Sequence, residues 1–362
     1  MNIYIIGTRG IPNNYGGFEA FAQHLSIRLV SAGHNVTVLH QSSCKNPLSP
    51  YFGVTRLPVY VSKLLPKNLQ KVYYSLKSLL KINHKPFDFA ICCGHSFGLF
   101  LPFFRKKLRE KLIINMDGIE WQRGKWGGVA KSILKLTEKL AAKYVKKVVA
   151  DSLEIKRFLD SKYDIISTFI PYGASFPESK PNKNVIKSLG LSPYDYGLLI
   201  ARIEPENKIE CAIIAFIAMN RTLVIVGDVG TKYGKKIYRK YGNHLNIKFV
   251  GTIFNAEKLN ALRCFSKVYY HGHSVGGTNP SLLDAMACGC IIVAHDNPFN
   301  KEVLGDTGTF FKNKTCLVDR INERWNFTYE QRKDISTRAI EKARTSYSWE
   351  RVLADYLALM KE

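Results

Sequence analysis

The sequence predicts an α/β protein built as two Rossmann-like domains facing a cleft. Apolar, strand-like runs alternate with helical patterns along most of the chain. The alternation breaks once, in a stretch rich in Pro, Lys and Asn over 177–187, and then resumes. Each half opens with a loop at the carboxyl end of a strand, which is where open parallel sheets bind ligands. Strands separated by helices of this length require parallel pairing with right-handed crossovers. A chain of 362 residues is also too long for one ordinary core.

The first strand is Asn2–Ile6, an apolar run that feeds a glycine loop. A helix over 17–31 follows, with Phe18, Phe21, Leu25 and Leu29 along one face, and Ala32-Gly33-His34 stops it. Further strands are expected at 35–39, 88–93, 111–115, 147–150 and 165–170, with a helix over 129–145 carrying Ile133, Leu136, Leu140, Ala141 and Tyr144. Pro171-Tyr172-Gly173-Ala174 ends a first domain of residues 1–172. In a second domain, 190–345, strands are expected at 196–200, 222–226, 247–250 and 267–270, and helices over 211–219 and 256–263. The next helix opens at Asn279 or Pro280, before an apolar run over 291–294.

Composition excludes several classes. Hydrophobic residues make up 46% and charged residues 23%, a normal globular balance. The longest apolar stretch, 89–104, holds His95 and two glycines and is no bilayer span, and the N-terminus shows no signal peptide. None of the eight cysteines has paired metal-ligand spacing. Cys92-Cys93 and Cys288-x-Cys290 sit in apolar runs as buried thiols, so a reducing, cytoplasmic setting is expected.

The net charge of +24 is uneven: residues 1–172 hold 26 basic side chains against 10 acidic ones. Between Lys45 and Lys111 only Asp88 and Glu110 are acidic. There Val72, Leu76, Leu79 and Leu80 follow helical spacing, flanked by Lys71, Lys77 and Lys81. Such a segment fits an anionic membrane surface. Nucleic acid is the other polyanion, but no helix-turn-helix, zinc or base-stacking signature supports it. A merely solvated lysine-rich face is the third reading.

Three loops hold the candidate chemistry. His271-Gly272-His273-Ser274-Val275-Gly276-Gly277-Thr278-Asn279 leads into a helix, where backbone N–H groups and the helix dipole suit a diphosphate. Asp284, one turn further in, lies within reach of a sugar hydroxyl. The first loop, 7–19, is not the dinucleotide fingerprint. Pro12 and Tyr15 interrupt it, Arg9 supplies a cation, and Gly16-Gly17 lets backbone approach a ligand. After the first strand of the second half, Arg202 and Lys208 are two cations suited to neutralising a leaving diphosphate.

These motifs resemble glycosyltransferase family 4: Gly16-Gly17-Phe18-Glu19, Ala150-Asp151-Ser152, Ile170-Pro171-Tyr172-Gly173, the Arg202 loop, Val226-Gly227-Asp228, Leu282-Leu283-Asp284-Ala285-Met286-Ala287-Cys288-Gly289 and Tyr347-Ser348-Trp349-Glu350. The longer motifs, 7–19, 117–126 and 271–279, resemble its bacterial β-1,4-rhamnosyltransferase-like capsule and O-antigen subgroup. The resemblance implies a GT-B fold with an acceptor domain, a nucleotide-sugar domain, and a final helix, 346–362, crossing back onto the first. It implies metal-independent, retaining transfer without a cofactor, with dTDP-rhamnose as donor and a lipid-linked oligosaccharide as acceptor at the inner face of the cell membrane. Arg202 and Lys208 would hold the diphosphate, Gly276, Gly277, Thr278 and Asn279 would offer N–H groups, and Asp284 would bind the ribose. Gly16, Gly17 and His273 would complete the donor side. Asp117 would orient the sugar or take the acceptor proton, while Arg9, Tyr15, Glu120 and Arg123 would meet the acceptor.

Three departures qualify the carry-over. Of the family's two glutamates eight positions apart, the second is here Asp284 and the first falls on Gly276. The family lysine falls on Asn207, with Lys208 adjacent, and His273 has no counterpart outside the subgroup. A UDP- or GDP-sugar transferase, or a sugar-nucleotide epimerase of the same architecture, are the alternative readings.

Overall fold

In the computed structural model the chain divides into two units, Met1–Tyr172 with Trp349–Glu362, and Gly173–Ser348. The structure describes all residues except 44, 45, 47, 117, 123–125 and 180, and of residues 67 and 68 the backbone.

The first unit holds a parallel sheet of β1 (Asn2–Ile6), β2 (Asn35–Ser42), β3 (Thr55–Tyr60), β4 (Phe89–Cys93), β5 (Leu112–Met116), β6 (Lys147–Ala150) and β7 (Thr168–Phe169). Their order is β3-β2-β1-β4-β5-β6-β7. In β1, Ile3 pairs with Val36 on one side and Phe89 on the other. Ile3, Ile5 and Ile6 are buried, as the continuous apolar run of a strand covered on both faces requires. The order reverses between β1 and β4, which makes their carboxyl ends the switch point of this sheet.

The second unit repeats the plan with β8 (Gly197–Ile200), β9 (Leu223–Val226), β10 (Ile247–Phe249), β11 (Val268–His271), β12 (Ile292–His295) and β13 (Gly308–Phe311). The order β10-β9-β8-β11-β12-β13 places its switch point between β8 and β11. Leu199, Ile213, Phe216, Ile225 and Val293 share one core. Gly197 is required there, since a Cβ would lie 2.2 Å from the Phe216 ring. Each such aliphatic or aromatic side chain stabilises the unit by about 1.5–3 kcal/mol when fully buried.

The expected elements differ from the observed ones at a few places. β3 was not expected, because Pro58 interrupts it; as an edge strand it tolerates the missing N–H. The strand expected over 165–170 shrinks to Thr168–Phe169. The C-terminal segment is two helices, Tyr329–Ser346 and Trp349–Lys361. The second returns to the first unit, where Trp349 stacks on His24 at 4.8 Å and Tyr356 meets Phe21 at 5.6 Å. Asn115 donates to the Tyr356 hydroxyl at 3.2 Å. The helix Lys67–Asn83 forms; Leu79 and Ile82 are buried in the unit's core, while Leu69 and Leu80 stay exposed. Among the described residues no helix is long and apolar enough to cross a membrane.

Candidate active site

At the carboxyl end of β8 the chain turns outward through Arg202 and re-enters a helix at Ile209. Asn207 is buried, and its amide donates to the Arg202 carbonyl at 2.7 Å, closing the loop on itself. That makes Asn207 a structural residue and leaves Lys208 as the cation of this turn. Lys208 takes a left-handed backbone (φ 49°, ψ 38°), and its carbonyl accepts from the Tyr270 hydroxyl at 3.0 Å. Its side chain lines a cavity of about 360 Å³ with Phe311, Lys312 and Lys314. Burial and the Lys208 charge together hold the His295 imidazole below its ordinary range. Arg202 is half exposed, its guanidinium 3.8 Å from Glu204.

The loop after β11 is fastened to the β8 loop. The Ser274 N–H and hydroxyl both donate to the Glu206 carbonyl, at 3.0 and 2.8 Å. Gly272 passes so close to the Asn207 carbonyl that a Cβ would lie 2.2 Å from it. From the other side, Asn297 and Asn300 donate to the His273 carbonyl at 2.8 and 3.2 Å. The His273 ring stacks on His271 at 4.3 Å, and burial, then His273, keeps His271 well below the usual imidazole range. The structure thus brings Arg202, Lys208 and His273 onto two interlocked loops at the switch point between β8 and β11.

The helix Pro280–Ala287 follows. Its mouth is less open than the sequence suggests. The Asn279 side chain accepts the Ser281 N–H at 2.9 Å, and the Asn279 carbonyl accepts those of Leu282 and Leu283. Pro280 has no N–H to give. A phosphate would therefore meet the loop amides of Gly276, Gly277, Thr278 and Asn279 rather than the first helical turn. Gly276 sits at φ +126° with open space where a Cβ would be, while Thr278 is buried. Asp284 is held at both oxygens: Arg263 pairs with one at 3.1 Å and the Ser175 N–H donates to the other at 3.0 Å. Each oxygen keeps a second lone pair for a hydroxyl. The sequence reading missed Arg263, Asn297 and Asn300; the Asn-Pro pair at 297–298 was the signal for a loop anchor.

In the first unit the corresponding loops follow β1, β4 and β5. The Arg9 N–H donates to Glu19 at 2.8 Å, and the Arg9 guanidinium covers the Tyr15 ring at 3.4 Å. Gly16 leads into the helix Gly17–Ser31 as its N-cap. Gly7, at φ +91°, is forced by the Cys93 carbonyl, 2.6 Å from where a Cβ would sit. His95, unremarked as a site residue in the sequence, is buried beyond β4, and desolvation pulls its imidazole down to about 4. Asp117 and Arg123 lie outside the described residues. Glu120 accepts from the Trp126 indole at 3.1 Å. Buried Glu138 accepts from the Trp121 indole (3.2 Å), Lys162 (3.1 Å) and the Tyr163 hydroxyl (2.5 Å). Among the described residues no three His, Cys, Asp or Glu side chains are placed to hold a metal ion.

Comparison with known proteins follows the same division. Residues 1–175 match a family described as Domain of unknown function (DUF1972), and residues 184–346 match Glycosyl transferases group 1. No curated protein matches the sequence. Sucrose-phosphate synthase from Thermosynechococcus elongatus is similar in structure, with a TM-score of 0.85 at 16% identity over 99% of this chain and 98% of that one. A glycosyltransferase from Rickettsia africae gives 0.71 at 15% identity, covering 99% of this chain and 97% of that one. HepE of Anabaena, in complex with UDP, gives 0.75 at 14% identity over the whole of both chains. Likeness at these identities shows the fold, and that fold is GT-B.

Proposed function

We propose that this glycosyltransferase of GT-B fold is a retaining enzyme that moves L-rhamnose from dTDP-rhamnose to a lipid-linked oligosaccharide. It would work peripherally at the anionic inner face of a bacterial cell membrane, in surface-polysaccharide synthesis. One observation carries the donor side: the loop that bears Arg202 and Lys208 is hydrogen-bonded to the end of β11 and to the loop after it, at the switch point of a sheet in the unit that matches group 1 glycosyl transferases. The loops supply cations and backbone amides where a diphosphate develops charge as it leaves. In this reading the acceptor oxygen bonds to the anomeric carbon as the carbon–phosphate oxygen bond breaks, and the acceptor proton passes to the departing phosphate or to Asp117. The two cations neutralise the leaving group, so no metal or other cofactor is required. Arg9, Tyr15, Glu120 and Arg123 are assigned to the acceptor.

The UDP held by the Anabaena neighbour supports a second reading, a UDP-sugar donor. A thermal-shift panel of dTDP-, UDP- and GDP-sugars decides between them, since the ligand that binds the native state raises its melting temperature. Arg202→Ala should weaken binding of the responding nucleotide by roughly 1.5–3 kcal/mol and remove most turnover. Unchanged affinity and rate would take Arg202 out of the site. Asp117→Asn should lower turnover far more than donor affinity, the mark of an interaction strengthened in the transition state.

A further inference from the structure

The helix Gly128–Tyr144 presents two unlike faces. Its inner face, Thr137, Glu138, Ala141 and Ala142, is buried, and Glu138, the helix's one acidic residue, is turned inward onto Trp121, Lys162 and Tyr163. Its outer face carries Val129, Ile133 and Leu136 at 80%, 46% and 47% exposure, spaced as one stripe. Exposed Lys135, Lys139 and Lys143 run alongside it. The turn Gly98–Phe103 packs against this helix, and it ends on Phe103, 85% exposed, followed by exposed Arg105, Lys106 and Lys107. Arg109 stacks over Tyr144 at 4.8 Å, so that basic segment runs beside the helix's C-terminal end. Glu110, at the end of that basic segment, is paired with Lys106 at 3.8 Å.

We propose that this helix is the membrane-docking element. Val129, Ile133 and Leu136 enter the boundary between headgroups and acyl chains, while Lys135, Lys139 and Lys143 meet anionic headgroups. This rests on the reading of a lipid-linked acceptor. A polyanion such as nucleic acid would leave the apolar stripe in water. A second copy docked through the same face would set its lysines against these. The helix Lys67–Asn83, which looks more suitable in sequence, buries Leu79 and Ile82 and leaves Leu69 and Leu80 exposed at 50% and 39%, against 80%, 46% and 47% for Val129, Ile133 and Leu136.

The test is co-sedimentation of the full chain with phosphatidylcholine vesicles, with and without about a quarter phosphatidylglycerol. The wild type should bind the anionic vesicles and release them as salt rises. Val129→Ser, Ile133→Ser and Leu136→Ser combined should lower partitioning about tenfold or more, with melting temperature and nucleotide binding unchanged. Lys71→Gln, Lys77→Gln and Lys81→Gln combined should lower it far less than Lys135→Gln, Lys139→Gln and Lys143→Gln. Leu136→Trp should shift its fluorescence to the blue on vesicles. Wild-type partitioning in the serine variant, or an unshifted Trp on bound protein, would overturn the assignment and leave the lipid-acceptor reading standing. Self-association abolished by the serine variant would make a second copy the occupant and also overturn it. Failure of the wild type to bind any anionic vesicle would sink the docking helix, whereas sugar transfer to a detergent-solubilised acceptor tests the acceptor reading independently.

Discussion

Asn300 donates one amide group to both the His273 and His295 carbonyls, at 3.2 and 2.8 Å. It holds the ends of β11 and β12 in place, so Asn300→Ala should cost about 1–3 kcal/mol of stability by removing the amide bond to the His295 carbonyl, the His273 carbonyl keeping its bond from Asn297. Chemical denaturation measures that, and donor affinity should fall with it. His95 gives a pH dependence. Its folded value near 4 lies below the unfolded 6.5, so the unfolded chain binds more protons as pH falls from about 6.5 towards 4. Stability is therefore full above 6.5 and declines through that window, by about 2 kcal/mol at pH 5 from this group alone. In His95→Asn the decline between pH 7 and pH 5 should be shallower by that amount; an unaltered slope would mean that His95 is not held neutral. At this scale the sequence showed residue types but not their partners. Lys208 and Asn207 were adjacent candidates for one role, and only the buried amide of Asn207 on the Arg202 carbonyl separates them.

Elements with strong period were legible and those with weak period were not. The helix Gly17–Ser31 reads directly from its apolar stripe, and β8, β9 and β11 from unbroken apolar runs. The helix Lys232–Tyr241 hides behind six lysine, arginine and tyrosine side chains that face water, and Tyr329–Ser346 behind a similarly polar surface. For the latter, the reciprocal cap between Thr328 and Gln331 was the available local signal. The C-terminal helix Trp349–Lys361 buries Trp349, Val352 and Tyr356, with the Trp349 and Tyr356 rings against Phe21, which also meets Tyr172. Tyr356→Ala should destabilise that unit by about 3–5 kcal/mol, since an aromatic ring and its bond from Asn115 are lost together. Denaturant unfolding followed by tryptophan fluorescence reads this. Asn279→Ala removes the cap of the helix Pro280–Ala287 and should cost about 1 kcal/mol.

For the whole molecule, two units with separate sheets and cores imply unfolding that is not a single two-state step. Saturating nucleotide should raise the transition of the Gly173–Ser348 unit by mass action and leave the other nearly unmoved. Calorimetry with and without the nucleotide tests this, and an equal shift of both transitions would show that the units unfold as one. The sequence by itself determined the α/β class, the alternation of strands and helices, and the glycine loops at 7–19 and 271–279, because period and turn chemistry are local properties. It also determined the uneven positive charge, which is a matter of composition. Tertiary structure decided what depends on distant parts of the chain meeting. The strand orders set two switch points, Glu206 and Tyr270 lock the β8 and β11 loops together, and Asn279 uses up the amides of its own helix mouth. Which of two lysine-rich helices keeps the larger apolar surface in water was likewise decided only by packing, because both carry the pattern and the core can claim either one.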